Sequence, residues 1–377
     1  MRVAIDAREL RGQPTGVGRY LAGLLAAWSE LPTARSHEFV LCGPGHLDRA
    51  TFASGMRTLV RPDWNRSSPT LWEQLTLPAL VREANADVLF APGYTGPLSC
   101  PAPMVVAIHD MSFVAHPEWF AWREGLRRRV LVRLSARRAA RIVTISQFSK
   151  DEIVRLLGVD GALIDVAYPG ATPLASAVSI ETPRDVDGGH LVLFVGSLFT
   201  RRHIPALIDG FGRLARRRHD VRLAIVGDNR TTPRVDFDRL VGQSGVADRI
   251  ALRSYVSEEA LGELYARARA FVFLSEYEGF GLTPVEALAV GVPIIVLDTP
   301  IAREVYGDAA LYVPKPAPAL VDAAIERALF DDAERSRILD ASVRLLPRYS
   351  WRTCAEQVLD VLLACAGSRK SRVTGQR

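Results

Sequence analysis

The stretch AFVFLSEYEGFGLTPVEALAVGVPIIVLD (270–298) decides how this chain folds. It begins with a short apolar run rich in β-forming residues and passes through a glycine-bearing turn into a helical pattern. It then ends in a second apolar run, VPIIVLD (292–298). A strand, a helix and a second strand in this order form the crossover unit of a parallel sheet. The sequence therefore predicts an α/β fold.

Apolar runs of the same kind recur along the whole chain, in two series. The first half carries RVAID (2–6), EFVLCG (38–43), DVLFAP (87–92), MVVAIHD (104–110) and RIVTIS (141–146), and the second half adds HLVLFVG (190–196), RLAIVG (222–227) and IALRS (250–254). Helical patterns separate these runs, which is typical of doubly wound sheets. We therefore predict two Rossmann-like domains that face each other across a cleft, with ligands beyond the carboxyl ends of the strands.

The length and one compositional break place the domain boundary. A chain of 377 residues suits two domains of roughly 150 to 200 residues each. The stretch 171–189 is rich in Pro, Gly, Ala and polar residues, as interdomain linkers are. We predict an N-terminal domain at 1–180 and a C-terminal domain at 181–366, whose last helix is able to pack back on the first. The polar, basic tail 367–377 is expected to be disordered.

Composition narrows the class of protein. The chain is 48% hydrophobic and 24% charged, which is typical of a globular protein. No apolar run approaches the roughly 20 residues of a membrane span, and the N-terminus has no signal-peptide pattern, so we expect a cytoplasmic protein. The four cysteines, Cys42, Cys100, Cys354 and Cys365, have neither C-x-x-C spacing nor nearby histidines. This pattern argues against a zinc site or a disulfide framework.

The net charge of +5 suits an anionic partner: a nucleoside diphosphate, an anionic membrane or a nucleic acid. Positive charge concentrates in 122–141, which carries eight arginines, Arg123, Arg127, Arg128, Arg129, Arg133, Arg137, Arg138 and Arg141. Leu126, Val130 and Leu134 recur every four residues there, and we expect this face to pack on the domain. The segment lacks interleaved aromatic residues and any DNA-binding motif, so nucleic acid is not expected. A solvated helix and a membrane-binding face both remain open.

The turn in 275–298 carries the main candidate site. Glu278 and Glu286 lie eight residues apart, on either side of the turn residues Gly279, Phe280, Gly281 and Leu282. If a helix begins near Thr283 or Pro284, the turn places backbone N–H groups at its positive end, where a diphosphate is stabilised. Glu286 can then reach ribose hydroxyls, and Glu278 can lie beside a transferred sugar. The alternative is a solvated loop residue followed by an ordinary acid in the first turn of a helix.

A second element, FVGSLFTRRHIPALIDGF (194–211), combines a strand end, Gly196 and a cationic pair before a helix. Arg201 and Arg202 can bind two phosphates and stabilise the charge that develops on a leaving diphosphate. Two solvated arginines at a helix start are the alternative. The helix dipole disfavours cations at that position, which weighs against this alternative.

The first half carries two further candidates. Gly16 and Gly18 precede an apolar helical pattern that begins at Tyr20, and a glycine turn lets a ligand approach the backbone closely. The spacing is not G-x-G-x-x-G, so a dinucleotide site is not indicated, and a simple tight turn remains the alternative. His109 and Asp110 follow a predicted strand, where catalytic side chains are expected. A histidine packed in the core is the alternative at that position.

These segments resemble glycosyltransferase family 4, whose members are retaining enzymes of the GT-B fold. The matching segments include TGVGRY (15–20), VVAIHDMSF (105–113), VGSLFTRRH (195–203) and LGELYARARAFVFLSEYEGFGL (261–282), and the resemblance runs from the N-terminus to YSWRTCAEQVLDVL (349–362). The E-x7-E arrangement is the most specific of these features. The resemblance is strongest to bacterial mannosyltransferases of surface-polysaccharide assembly.

The resemblance implies a role for each candidate residue. Glu278 would lie near the donor sugar, Glu286 on the ribose, and Arg201 and Arg202 on the diphosphate. His109 would lie near the transferred sugar, with Gly16 and Gly18 beneath the donor phosphates. The family usually has lysine and then asparagine where this chain has Arg202 and His203. The planar arginine fork therefore puts the phosphate geometry in doubt.

The resemblance also implies the chemistry and the partners. The leaving phosphate would accept the acceptor's proton, so no protein nucleophile is needed and no cofactor is expected. Two D-x-D strings, at 185–187 and 236–238, are expected to be surface acids, and we predict no metal site. The donor is expected to be GDP-mannose or, as a second choice, a UDP-sugar, and the acceptor a saccharide or a lipid-linked saccharide. The arginines of 123–141 would then contact an anionic membrane at the inner face of the plasma membrane.

Three alternatives remain at this point. A nucleotide-sugar 2-epimerase or a phosphorylase has similar paired domains, although neither follows the E-x7-E turn and the arginine pair over two separate segments. A catalytically inactive homologue that only binds a sugar nucleotide is the third. Product analysis separates them, because an epimerase alters the donor without an acceptor and a phosphorylase requires inorganic phosphate.

Overall fold

The computed structural model describes residues 1–12, 16–45, 47, 56–61, 69–171 and 189–374, with backbone only for 368–374. The strands are β1 Arg2–Asp6, β2 Glu38–Gly43, β3 Arg57–Val60, β4 Val88–Ala91, β5 Met104–Ala107, β6 Arg141–Thr144, β7 Ile164–Val166, β8 His190–Val195, β9 Val221–Val226, β10 Ile250–Arg253, β11 Ala268–Phe273, β12 Ile294–Leu297 and β13 Leu311–Val313. The helices are α1 Gly16–Glu30, α2 Pro69–Leu71, α3 Leu77–Glu83, α4 Ser112–Ala115, α5 Trp122–Arg138, α6 Gln147–Leu157, α7 Ile204–Ala215, α8 Phe237–Gln243, α9 Glu258–Arg267, α10 Leu282–Ala289, α11 Pro300–Tyr306, α12 Pro318–Phe330, α13 Asp332–Leu345 and α14 Trp351–Thr374.

The chain divides into two compact units. The N-terminal unit comprises Met1–Ala115, Trp122–Gly170 and Tyr349–Arg377, and the C-terminal unit comprises His116–Ala121 and Ala171–Arg348. The boundary predicted at 180/181, most of the predicted linker and the D-x-D string at 185–187 lie outside the described residues. Helical backbone continues to Thr374, beyond residue 367, where we expected order to end. Arginine and lysine have high helix propensity and extend a helix that is already formed.

The N-terminal unit is built on a seven-stranded parallel sheet of order β3-β2-β1-β4-β5-β6-β7. Its core lies between the sheet and helices α1 and α14. Trp28 of α1 stacks on Phe39 of β2 with ring centroids 4.9 Å apart, and its indole N–H donates to the Ala355 carbonyl of α14 at 2.9 Å. Helix α14, the last helix of the chain, therefore forms part of the core of the N-terminal unit, together with α1 and the sheet. The strand order reverses between β1 and β4.

The C-terminal unit is built on a six-stranded parallel sheet of order β10-β9-β8-β11-β12-β13. Phe194 of β8 stacks on Phe273 of β11 at 5.9 Å in its core. The strand order reverses between β8 and β11, and in open parallel sheets the ligand crevice lies beyond the carboxyl ends at such a reversal. The two sheets confirm the predicted class of two Rossmann-like α/β domains.

Helix α5 corrects one prediction. Leu126, Val130 and Leu134 were expected to pack on the domain, but they are 48%, 47% and 38% exposed. The buried face consists instead of Gly125, Val132, Ser135 and Ala136. Small residues are needed there because the helix lies close to the segment after β4, where Ser135 Oγ contacts the backbone of Gly96. None of the helices in the described ranges has the length and apolar composition of a membrane crossing.

Candidate active site

Two loops meet at the strand reversal of the C-terminal unit. The β8 loop (196–203) follows β8 and contains a short 3-10 turn, Thr200–Arg202, and the β11 loop (274–281) follows β11. The Arg201 carbonyl accepts from the Glu276 N–H at 3.1 Å, and Arg201 Nε donates to the Tyr277 carbonyl at 3.0 Å. His203 Nε2 lies 3.1 Å from a Glu276 carboxylate oxygen. Backbone and side-chain contacts therefore fix the position of the β8 loop relative to the β11 loop.

Arg202 and Glu278 form an ion pair between these loops. Arg202 Nε and Nη2 both lie 2.8 Å from Glu278 Oε1, and Nη1 donates to the Ser197 carbonyl at 2.9 Å. The two side chains are only 12% and 14% exposed, and the guanidinium lies 4.8 Å from the centroid of the Phe273 ring. Burial lowers the pKa of Arg202, while the Glu278 carboxylate opposes that shift. An arginine paired in this way stays protonated at neutral pH and presents its fork in one orientation.

Glycine is required at two positions in these loops. Gly196 has φ +139°, and a Cβ there would meet Arg202 Nη1 at 2.6 Å. Gly281 has φ +90°, and a Cβ there would meet the Tyr306 hydroxyl at 2.1 Å. That hydroxyl of α11 lies 3.3 Å from the Phe280 carbonyl and 3.2 Å from that of Gly281, so it can donate to either. Tyr306 thus fixes the turn that leads into α10.

Helix α10 begins at Leu282 with Gly281 as its N-cap, one or two residues before the predicted start. Gly279 and Phe280 are buried, and Gly281 and Leu282 are partly exposed. The positive end of the helix dipole and the free N–H groups of its first turn favour an anion at this end. Glu286, in the second turn, is only 1% exposed, and the Tyr265 hydroxyl lies 3.4 Å from its Oε2 atom.

His109 lies directly beyond β5 in the N-terminal unit and is 6% exposed. Its Nε2 is 2.7 Å from the Pro92 carbonyl, and its own carbonyl accepts from the Ser149 hydroxyl at 2.8 Å. The ring of Tyr20 meets the imidazole edge-on at 4.7 Å. Burial lowers the pKa of His109, so the ring is neutral at pH 7.

Gly16 and Gly18 lie inside the first turn of α1, not in a turn that precedes the helix. Gly16 has φ +20° and a Cβ there would meet nothing within 4 Å, while Gly18 is buried. The helix starts earlier than predicted, because small residues are tolerated in a first turn where backbone N–H groups have no helical partners. Tyr20, in the next half-turn, contacts His109, so α1 begins near the end of β5.

The structure therefore groups the predicted residues in two sets. Gly196, Arg201, Arg202, Glu278, Gly279, Phe280, Gly281, Leu282 and Glu286 lie on the C-terminal unit, and Gly16, Gly18 and His109 lie on the N-terminal unit. The remaining D-x-D string has a structural role at one end, because Asp236 caps α8 by accepting from the Arg239 N–H at 3.0 Å.

Sequence reasoning missed three residues of this region. Tyr306 holds the Gly281 turn, and Ser275 Oγ donates to Glu278 Oε1 at 2.8 Å. Tyr277 provides a carbonyl for Arg201 and an aromatic edge for the ring of His116, with centroids 5.3 Å apart. From the sequence, only Ser275 and Tyr277 could have been singled out, because they lie between a strand end and Glu278. Tyr306 lies 28 residues beyond Glu278 and shares no local pattern with it.

Two protein families match this chain, one over its first half and one over its second half. Residues 14–173 match the family described as Glycosyltransferase Family 4, and residues 180–342 match Glycosyl transferases group 1. The O-antigen chain mannosyltransferase RfbU of Salmonella typhimurium is 26% identical over 320 residues, which cover 82% of this chain and 86% of the relative. The O-antigen chain mannosyltransferase B of Escherichia coli is 27% identical over 263 residues, 68% of this chain and 69% of the relative.

Solved structures show the same fold. Anabaena HepE in complex with UDP-glucose superposes with a TM-score of 0.75 at 19% identity, covering 97% of this chain and 100% of that chain. WaaG, a glycosyltransferase involved in lipopolysaccharide biosynthesis, superposes with a TM-score of 0.71 at 17% identity, covering 96% and 99%. At these identities the likeness concerns the fold of both units and their order along the chain.

Proposed function

Because this chain belongs to the family 4, group 1 glycosyltransferases of the GT-B fold, we propose that it moves a hexose, mannose first, from a nucleoside-diphosphate sugar to an acceptor hydroxyl with retention of configuration. The family matches confirm the resemblance predicted from the sequence. The proposed setting is polysaccharide or glycolipid assembly, and the two relatives named as O-antigen chain mannosyltransferases support it. The observation that carries the proposal is the convergence of Arg201, Arg202 and Glu278 beside the start of α10, at the strand reversal of the C-terminal unit.

The proposed chemistry follows from the charges at this point. As the bond between sugar C1 and the phosphate oxygen breaks, negative charge grows on the diphosphate. Arg201, Arg202 and the N–H groups at the start of α10 are placed to stabilise that charge without reorganisation. The acceptor oxygen then bonds to C1 on the face that the diphosphate leaves, and the acceptor's proton passes to the leaving phosphate. No protein nucleophile and no metal ion is needed in this scheme.

The pairing of Arg202 with Glu278 gives each residue a defined task. Arg202 Nε donates to Glu278 Oε1 and Nη1 donates to the Ser197 carbonyl, while Nη2 lies 2.8 Å from the same carboxylate oxygen, so the guanidinium is held in one orientation. A fixed fork binds phosphate oxygens in one geometry, unlike the mobile ammonium of the family's usual lysine. Glu278, held by Ser275 as well, keeps its second carboxylate oxygen for a sugar hydroxyl. The resemblance implies that His109 contacts the transferred sugar.

The donor is proposed from the relatives rather than from the fold. The two O-antigen relatives are named as mannosyltransferases, so GDP-mannose is the first choice and a UDP-sugar the second. The test is calorimetric binding of GDP-mannose, UDP-glucose, GDP and UDP, followed by product analysis with the best ligand. A 2-epimerase would change the sugar of the donor without an acceptor, a phosphorylase would require inorganic phosphate, and an inactive homologue would leave the donor intact. None of these three alternatives is favoured.

We further propose that the enzyme acts in the cytoplasm, at the inner face of the plasma membrane, on a lipid-linked saccharide. The exposed side of α5 supports this proposal. Trp122 is 69% exposed, and the exposed Leu126, Val130 and Leu134 follow it at four-residue steps. Each step of four residues turns the helix by about 40°, so these side chains form a gently slanted ridge. Arginines that are also exposed lie on either side of it, namely Arg123, Arg127, Arg133, Arg137 and Arg138.

An apolar ridge flanked by arginines fits the surface of an anionic bilayer. The aliphatic side chains would enter the boundary between headgroups and acyl chains, and the guanidinium groups would contact lipid phosphates. Each arginine near such a surface contributes about 1 kcal/mol, so four of them give reversible attachment. The guanidinium of Arg123 already lies over the Trp122 ring at 5.2 Å, a pairing of an interfacial aromatic residue with a cation.

A further inference from the structure

The imidazole of His109 is in contact with the turn that follows the neighbouring strand, β4. Strands β4 and β5 are adjacent in the sheet, and the turn 92–94 follows β4 just as His109 follows β5. The Pro92 carbonyl contacts His109 Nε2 at 2.7 Å, and the Tyr94 ring meets the imidazole edge-on, with centroids 5.4 Å apart. On the other side of the imidazole lies Tyr20. The turn therefore sets both the ring plane and the partner of one ring nitrogen.

Tyr94 holds an unusual backbone conformation to do this. Its φ is +69°, in the left-handed region that residues other than glycine rarely adopt. Contacts from two directions maintain it. The Tyr94 N–H donates to the Ala107 carbonyl at 2.9 Å, and the Tyr94 hydroxyl donates to Asp110 Oδ2 at 2.7 Å. Asp110 is fixed in turn, because its Oδ1 accepts from the Ser112 N–H at 2.8 Å.

The contact with Pro92 determines the tautomer of His109. A carbonyl oxygen can only accept a hydrogen bond, so Nε2 must carry the proton. Burial lowers the pKa of the imidazole and keeps it neutral, so Nδ1 keeps its lone pair. The titratable groups that face the ring are Asp110, from its own strand end, and the phenols of Tyr20 and Tyr94. Among these groups, Asp110 raises the pKa of His109 and so acts against the effect of burial.

We propose that Tyr94 is a positioning residue for His109: its ring packs against the imidazole and fixes the ring plane, so that Nε2–H stays on the Pro92 carbonyl and Nδ1 is left to accept a hydrogen bond from a hydroxyl of the transferred sugar. This inference rests on the proposed glycosyl transfer. Tyr94 itself need not touch the substrate. Its contribution is to keep water away from the imidazole and to prevent the ring from turning about its χ angles.

The test is side-chain ¹⁵N NMR of the wild-type protein and of Tyr94→Phe, Tyr94→Ala and Tyr94→Gly, with the His109 signal assigned by its loss in His109→Asn. In the wild type and in Tyr94→Phe, which keeps the aromatic ring, we expect the neutral Nε2–H form at pH 7 and a pKa below that of an ordinary histidine. In the Ala and Gly variants we expect the pKa of His109 to rise toward its ordinary value and the Nε2–H form to lose its preference. Gly tolerates φ +69°, so an effect shared by the Ala and Gly variants reflects the missing ring and not backbone strain.

Turnover of GDP-mannose supplies the second readout. We expect kcat to fall at least tenfold in the Ala and Gly variants and less than threefold in Tyr94→Phe, with GDP affinity unchanged in all three. Asn85→Ala is the matched control, because Asn85 also has a left-handed φ, +50°, but lies at the end of α3. An unaltered His109 signal and unaltered kcat in both the Ala and Gly variants would overturn the inference. Failure of the wild type to use any nucleotide sugar would overturn the proposed function, while the NMR result would still decide whether Tyr94 fixes His109.

Discussion

Replacement of Arg202 by alanine separates a diphosphate-binding role from a purely structural one. The side chain is 12% exposed and makes two contacts of 2.8 Å with Glu278 and one of 2.9 Å with the Ser197 carbonyl. Truncation leaves Glu278 without its cation. Breaking a buried pair in this way costs roughly 3 to 5 kcal/mol of stability, which a domain of ordinary stability survives at 25 °C. The melting temperature should therefore fall while the protein stays folded.

The effect on ligand binding is worked out from the lost phosphate contact. A hydrogen bond to a charged group contributes about 1.5 to 3 kcal/mol, so Arg202→Ala should weaken GDP binding between roughly 10-fold and 150-fold. Glu278→Ala should weaken GDP binding less than Arg202→Ala does, because it keeps the cation at the diphosphate and removes only the carboxylate that orients the guanidinium. Its turnover of GDP-mannose should nevertheless fall at least tenfold, about 1.4 kcal/mol in the transition state.

The assay is calorimetric titration of GDP into the wild type, Arg202→Ala, Glu278→Ala and the double variant. Arg216→Ala is the matched control, because Arg216 follows α7 and so lies about 18 Å along that helix from the β8 loop. If Arg202 serves only to balance Glu278, the double variant should recover wild-type GDP affinity. That recovery, or equal GDP affinity in Arg202→Ala and Arg216→Ala, would refute the assignment of Arg202 to the diphosphate.

Three further predictions concern the rest of the account. Tyr306→Phe should lower kcat roughly three- to tenfold with little change in melting temperature, because it removes one hydroxyl that holds the Gly281 turn; unchanged kinetics would show that the turn needs no such support. EDTA should leave turnover intact, and complete loss restored by Mg²⁺ or Mn²⁺ would place the enzyme in a metal-dependent class. Changing Arg123, Arg127, Arg133, Arg137 and Arg138 together to Gln should strongly reduce co-sedimentation with anionic liposomes at low salt, and equal partitioning of variant and wild type would reduce α5 to a solvated surface.

The apolar runs predicted most of the fold because nine of the ten form strands inside the sheets, and only β10 lies at an edge. All ten runs read from the sequence contain strands, whereas β3, β7 and β13 were missed. Those three strands lie at sheet edges and have three or four residues each, such as Arg57–Val60, whose side chains are partly exposed. A short edge strand needs no continuous apolar run and so leaves little trace in the sequence.

The site was predictable as a set of residues but not as a network. Arg202 and Glu278 were both singled out, yet their pairing depends on β8 and β11 being neighbours, which no local pattern reveals over a separation of 76 residues. The face of α5 was misjudged for a related reason. Its four-residue spacing of Leu and Val suggested burial, but the small residues Gly125, Ser135 and Ala136 permit the close approach to the sheet.

The stereochemistry of GDP-mannose turnover tests the central proposal most directly. With water or a synthetic mannoside as acceptor, ¹H NMR can record the first-formed anomer before mutarotation, together with the release of GDP. The account predicts one GDP released per sugar transferred and an α-configured product from the α-configured donor, with both products formed at least tenfold more slowly in Glu278→Ala. A β-configured first product would contradict retention. A donor whose sugar is converted without any release of GDP would contradict glycosyl transfer itself.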